Sequence, residues 1–376
     1  MPVYLDWNAT TPLTPGVLAA MTRAAAATWG NPSSVHGHGR AARAVVEDAR
    51  AEVAALAAVD VRDVVLTSGG TEANNLALRS AFATPRTPAP PAALLLSRLE
   101  HPSVTRVAEA LEAEGRARVR WVDATPEGGI ELDDLRRALR EGPTCLIALQ
   151  AVNHETGVIQ PVSEVAGLAR EHGALFHIDA VQAWGMVPTD ESAGDSRSLA
   201  AHKLRGPKGV GALLTRPGTP VVPLLRGGAQ ERGIRPGTLD PVACAGLAVA
   251  ARDALTGPAR YVRVAALRDE LEARVREMHA GVLVNGAGAR APHVTNLFFP
   301  DFPGPELVAA LDLEGVSVSS GSACSAGTSE PSPVVTAMYD VARARGSVRI
   351  SLGDDTTADD IAFALSALRR ILSRRR

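Results

Sequence analysis

The chain has 376 residues, with 39 basic and 41 acidic side chains, a formal charge of −2, 46% hydrophobic and 3% aromatic residues. That balance offers no basic field for nucleic acid, and no run of about 18 apolar residues occurs that would span a membrane. The three cysteines, Cys145, Cys244 and Cys324, share no short spacing, which argues against a disulfide framework or a zinc site and fits a reducing cytoplasm.

In chain order, the N-terminal stretch Met1-Pro2-Val3-Tyr4-Leu5-Asp6 lacks a basic segment followed by an apolar one, so secretion is not expected. Apolar runs at 64–66, 94–96, 119–122, 146–149, 175–178 and 211–214 then alternate with amphipathic stretches. Short strands separated by helices predict an α/β fold with a mostly parallel sheet and crossover helices, with ligands gathering at strand ends. Residues 84–91, rich in proline, read as an exposed loop too short to link domains. A long helix follows at 262–278, then strands at 282–284 and 295–299 and a helix at 305–314. We therefore expect a large domain over 15–255 and a smaller α+β domain from 1–14 and 256–376, with Arg374, Arg375 and Arg376 complementing a terminal helix dipole.

Within this frame Asp179 ends an apolar strand, where an unpartnered carboxylate costs several kcal/mol. Lys203 follows 24 residues later in Ala201-His202-Lys203-Leu204-Arg205-Gly206. An acid that can hold a pyridine nitrogen protonated, paired with an amine that can form a Schiff base, points to pyridoxal phosphate chemistry. Gly69-Gly70-Thr71 opens a helix after the strand at 64–67, placing free N–H groups and the helix dipole toward an anion at Gly70 and Thr71. His101, just after the strand at 94–97, lies at the same sheet end, where an imidazole can stack on a flat cofactor and exchange protons. Gln182, three residues after Asp179, is within reach of a ring hydroxyl.

Cys324 sits in Ser319-Ser320-Gly321-Ser322-Ala323-Cys324-Ser325-Ala326-Gly327, a stretch of small residues without apolar periodicity that exposes the thiol. Cys145 and Cys244 lie in apolar surroundings and read as packing. Cys324 is thus the candidate nucleophile.

The chain resembles the cysteine desulfurases, in the class V aminotransferase group of fold-type I pyridoxal phosphate enzymes. The resemblance runs in order from about residue 3 to about residue 365. Its motifs include Tyr4-Leu5-Asp6-Trp7-Asn8-Ala9-Thr10-Thr11-Pro12, Thr67-Ser68-Gly69-Gly70-Thr71-Glu72, Glu100-His101, Val152-Asn153-His154-Glu155-Thr156-Gly157, Asp179-Ala180-Val181-Gln182, His202-Lys203 and Ser319-Ser320-Gly321-Ser322-Ala323-Cys324.

The resemblance implies Lys203 as the Schiff-base lysine, Asp179 as the pyridinium partner, His101 as the stacking acid/base and Gln182 as a contact to the ring hydroxyl. It assigns the phosphate to Gly70, Thr71 and His202, with Thr238 reaching in from the other subunit of a homodimer, and the substrate carboxylate to Arg349. It also implies L-cysteine as substrate, alanine as product, and a persulfide on Cys324. The acceptor would be a partner protein such as an iron–sulfur scaffold or a tRNA-thiolation enzyme. Two departures stand out. Ala200-Ala201 occupies the place of the family's Ser-Gly, which predicts the loss of one phosphate hydrogen bond, about 1–3 kcal/mol. His154 stands where the family often has a second asparagine, leaving open whether Asn153 or His154 meets cofactor and substrate. An aminotransferase, a selenocysteine lyase and a non-catalytic sulfur-carrier scaffold remain alternatives on the same fold.

Overall fold

The computed structural model describes residues 2–83, 91–189, 193–321 and 330–373. After β1 (Val3–Tyr4), the chain builds β2 (Val64–Thr67), β3 (Ala93–Ser97), β4 (Arg118–Val122), β5 (Thr144–Gln150), β6 (Leu175–Asp179), β7 (Ser196–Ala200) and β8 (Gly211–Thr215). Strands β2 to β8 form one seven-stranded sheet in the order β2-β8-β7-β6-β5-β3-β4. Pairings from β4 through β7 are parallel, and β8 alone runs against its neighbours β2 and β7. The expected mostly parallel sheet is therefore present.

Alternation of side chains explains why these strands read as continuous apolar runs. Leu95, Ile147, Leu149, Phe176 and Leu214 enter the core on one face of the sheet. Val65, Leu94, Leu96, Ala148 and Leu213 enter the core on the other. With helices covering both faces, neither set of positions can be polar without a partner. Strand β7, Ser196-Arg197-Ser198-Leu199-Ala200, breaks the rule and was not anticipated. Arg197 is buried there because its guanidinium lies 5.3 Å from the Trp184 ring and donates to Ala57 O at 3.0 Å.

The remaining strands are β9 (Leu283–Val284), β10 (Val294–Phe298), β11 (Val316–Ser317) and β12 (Ser347–Ser351). They form an antiparallel β12-β10-β9 sheet and a parallel β1-β11 pair. A second apolar core joins Leu5, Val264, Leu271, Leu297, Phe299 and Ile350. The expected helix at 262–278 begins earlier, at Gly257–Met278, with Pro258 in its first turn, where a missing N–H costs nothing. The segment after β1 crosses between the two cores: Trp7 N–H donates to Ser351 O at 3.2 Å, and Thr11 N–H to His202 O at 3.1 Å.

Residues 84–90 of the expected loop at 84–91, the residues 322–329 that include Cys324, and Arg374, Arg375 and Arg376 lie outside the described residues. Among the described residues no helix is long and apolar enough to cross a membrane.

Candidate active site

Strands β3, β5, β6 and β7 point their C-terminal ends the same way, and a cleft opens where they stop. Asn8, Gly70, Thr71, Asn74, His101, Gln150, His154, Asp179, Gln182, Ala200, His202, Lys203 and Arg349 line it. The candidates separated by up to some 280 positions in the chain are thus brought to one place.

Asp179 is the last residue of β6 and only 6% exposed. Its Oδ1 accepts from Val181 N–H at 3.1 Å and Ser198 Oγ at 3.1 Å, and its Oδ2 accepts from Asn74 Nδ2 at 2.8 Å. These donors hold a charge that burial would otherwise make costly. Glu100 lies nearby, 3% exposed, with neither side-chain oxygen hydrogen-bonded among the described residues. Burial first, and the charge of Asp179 second, push its carboxyl well above the usual range.

Lys203 closes a 3₁₀ turn, Ala201–Lys203, directly after β7. Its Nζ donates to Asn8 O and, at 3.1 Å, to Ala9 O. The strap bearing those carbonyls is itself anchored at many points. Asn8 N–H donates to Ser351 Oγ at 2.9 Å, Asn8 Nδ2 to His154 O at 3.1 Å, and Gln182 Nε2 to Asn8 O at 3.1 Å. Gln182 Oε1 is buried without a hydrogen-bond partner among the described residues.

Gly70–Ala81 is the helix that follows β2. Its predecessor Gly69 has φ 148°, a conformation that side chains rarely tolerate, and a Cβ on Gly70 would come within 2.5 Å of Val181 Cγ2. The first-turn N–H groups have no acceptor within their own helix, and its macrodipole is positive at this end. His202 flanks the seat, its Nδ1 3.2 Å from Thr10 Oγ1. Burial, then the charges of Lys203 and Lys208, push its imidazole down to about 4, leaving it neutral with an N–H to donate.

His101 caps the helix Pro102–Ala113: its Nδ1 accepts the Ser103 N–H at 3.0 Å. Burial lowers its pKa, opposed by Asp179 and aided by Lys203. The His154 ring stands edge-on to it at 5.3 Å and is held far below its ordinary pKa, chiefly by burial, then by His101, Arg349 and Lys203. Arg349, in the middle of β12, donates from one terminal nitrogen to Asp6 Oδ1 at 2.6 Å and from the other to His154 O at 3.0 Å. Its Nε is buried without a partner among the described residues.

Other sequence candidates sit elsewhere. Asn153 is fully buried, with Oδ1 accepting from Glu155 N, Thr156 N and Thr156 Oγ1 and Nδ2 donating to Leu99 O, so it shapes the turn behind His154 and does not line the cleft. Ala201 is fully buried behind Ala200. Thr238 is exposed and away from this cleft, on a segment tied to the Gly70–Ala81 helix by Arg235, whose Nε is 3.0 Å from Glu72 Oε1. Cys145 and Cys244 are buried as expected, and burial pushes the Cys244 thiol up to about 12. Asn8, Asn74, Ser103 and Ser198 were not singled out. For Asn74 a signal existed, since residues three, four and seven positions on, Ala77, Leu78 and Ala81, form a buried apolar face.

Behind Asn8 lies His293, fully buried, its Nε2 2.9 Å from Asn8 Oδ1. Burial first, then Arg268, Arg349 and Lys203, push it down to about 3. Because the folded pKa is depressed, the stability from neutral His293 is complete above the unfolded value near 6.5 and is lost as pH falls toward 3. Urea unfolding at pH 7 and pH 5 should show the wild type losing roughly 2 kcal/mol more than His293→Gln, from a slope of about 1.4 kcal/mol per pH unit. Equal losses would contradict a neutral His293.

The cleft pairs an acceptor-only carboxylate, a helix N-terminus, an amine and several orphaned buried polar atoms, a donor set that fits a flat, phosphorylated, nitrogen-containing ring. Residues 3–363 match the family model described as Aminotransferase class-V. A cysteine desulfurase of Cereibacter sphaeroides is 41% identical over 382 residues, covering 100% of this chain and 96% of the relative. The cysteine desulfurase IscS of Dictyoglomus turgidum is 38% identical over 379 residues, covering 100% of this chain and 95% of the relative. A solved NifS-like protein superposes with a TM-score of 0.91 at 30% identity, covering 100% of both chains.

Proposed function

The chain belongs to the class-V aminotransferases, as a member of their cysteine desulfurase group, and from that premise we propose that the cleft around Lys203 is where it takes sulfur from L-cysteine. The observation that carries this reading is the convergence of Lys203, Asp179, His101, Gln182, His202 and Arg349 on one strand-end cleft beside the Gly70 helix.

Bound there, pyridoxal phosphate supplies a carbonyl for the substrate amine and an electron sink for the substrate α-carbon. The chain's own residues do the rest. Gly70 and Thr71 N–H groups and neutral His202 hold the phosphate, Asp179 keeps the ring nitrogen protonated, and Gln182 meets the ring hydroxyl. Thr238 of a second copy adds to the phosphate contacts in a homodimer. Arg349 binds the substrate carboxylate, its orientation set by Asp6 and the His154 carbonyl. His154, not Asn153, faces cofactor and substrate from that turn. The Lys203 amine takes the α-proton. Cys324 thiolate attacks the substrate sulfur: an S–S bond forms, the Cβ–S bond breaks with its electron pair left on carbon, and protonation there, with the α-proton returned by Lys203, gives alanine. The persulfide then passes to an acceptor protein, with an iron–sulfur scaffold or a tRNA-thiolation enzyme as the candidates.

Two expected results follow from the seat itself. The Ala200 methyl sits 3.7 Å from where a Cβ on Gly70 would be, so Ala200→Ser places a hydroxyl at the helix N-terminus. One recovered hydrogen bond should tighten pyridoxal phosphate binding to the apoprotein about fivefold, read by absorbance titration; no change would place the phosphate elsewhere. Asp179→Asn keeps the shape but not the charge, and alanine formation should fall roughly 10²–10³-fold with the fold retained.

The reading is tested by adding L-cysteine to the loaded protein with and without a 2-oxo acid. Alanine released without consuming the oxo acid supports the desulfurase. Stoichiometric loss of the oxo acid would make the protein an aminotransferase instead.

A further inference from the structure

Beneath the cleft, buried side chains form one hydrogen-bonded chain whose direction can be worked out from its acceptor-only end. Asp179 already takes donors from Val181 and Ser198 on Oδ1, and an ionised carboxylate can only accept. Asn74 places one terminal atom 2.8 Å from Asp179 Oδ2 and 2.8 Å from Ser103 Oγ. That atom must be the amide nitrogen, because a flipped amide would press its oxygen against the carboxylate. Asn74 Oδ1 therefore faces His177 Nε2 at 2.9 Å and accepts from it, which leaves His177 Nδ1 to accept from Ser196 Oγ at 2.8 Å. The fully buried His177 is neutral, as this pattern of one N–H and one acceptor requires.

The same logic runs outward to the cleft. Ser103 Oγ receives a hydrogen from Asn74, so its own hydrogen points to His101 Nδ1, 2.8 Å away. That nitrogen also receives the Ser103 backbone N–H at 3.0 Å. With two donors aimed at it, Nδ1 has no proton, and the neutral ring carries its proton on Nε2.

We propose that Asn74 is a positioning residue that holds Asp179 with one amide hydrogen and, with the other, turns Ser103 to lock His101 as the Nε2–H tautomer. His101 then offers its Nε2–H to the cleft as a hydrogen-bond donor. It cannot serve as the base, because a second proton would have to go to Nδ1 and expel both donors there, including the helix cap. Proton abstraction is left to Lys203. The tautomer follows from the geometry alone, whereas its catalytic meaning rests on the function proposed above.

The test is ¹⁵N NMR of histidine-labelled protein, apo and loaded with pyridoxal phosphate, with His101→Gln identifying the signal. The expected wild-type ring has a protonated Nε2 and a bare Nδ1. In Ser103→Ala and Asn74→Asp, Nδ1 loses the hydroxyl donor, and the tautomer ratio should fall about fivefold. A wild-type proton on Nδ1 overturns the proposal, and so does an unchanged ratio in both variants. The apo spectrum decides this even if the protein binds no pyridoxal phosphate, an outcome that would instead sink the functional reading.

Discussion

Lys203→Ala protein is expected to bind pyridoxal phosphate and L-cysteine yet release alanine at least about 10³-fold more slowly than wild type, within the span of acid–base contributions. The lysine follows β7 on a turn whose Ala201 is fully buried, while its Nζ reaches two carbonyls of the 6–11 strap. Removing the side chain leaves Asn8 O still accepting from Gln182, so the local fold should survive. The phosphate seat and Asp179 belong to other elements, which is why binding should persist. Borohydride treatment makes the reading specific: it should fix the cofactor to a peptide containing Lys203 in wild type and to none in the variant. Normal turnover in Lys203→Ala would remove the site from the account.

Cys324→Ala should behave in the opposite half of the reaction. It should bind cofactor and substrate with wild-type affinity, because none of the described residues lining the cleft changes, but lose alanine release by a factor on the order of 10⁴ or more, as expected when a nucleophile is deleted. The choice of this thiol rests on the sequence of small residues around it and on the burial of the other two. Cys145 Sγ is buried 3.2 Å from Ala81 O inside the sheet core, and the Cys244 thiol is pushed up to about 12 by burial, so Cys244 supplies no thiolate at neutral pH. Loss of activity in Cys145→Ala but not in Cys324→Ala would reassign the nucleophile.

How much was legible depended on whether local pattern and tertiary environment agreed. The doubly covered strands β3, β5, β6 and β8 read as apolar runs because helices leave them no exposed face. Strand β7 was hidden, since Ser196, Arg197 and Ser198 look like surface residues until Trp184, Ala57 and Asp179 are packed against them. The site divides the same way. Lys203, Asp179, Gly70 and His202 belong to contiguous motifs, and the structure places them on one cleft. The side chains of Asn8 and Asn74 meet partners 29 to 285 positions away, a relation no local window contains. The choice between Asn153 and His154 could not be made from adjacent letters. It depends on the Asn153 side chain turning back onto the backbone of its own turn, which leaves the next residue to face the cleft.

The most direct measurement is a single turnover: loaded protein in excess over L-cysteine, with alanine quantified and the protein digested for mass spectrometry. The account predicts one alanine per cysteine and one added sulfur atom on the peptide containing Cys324. Alanine without that sulfur, or sulfur retained on a peptide containing Cys145 or Cys244, would contradict it.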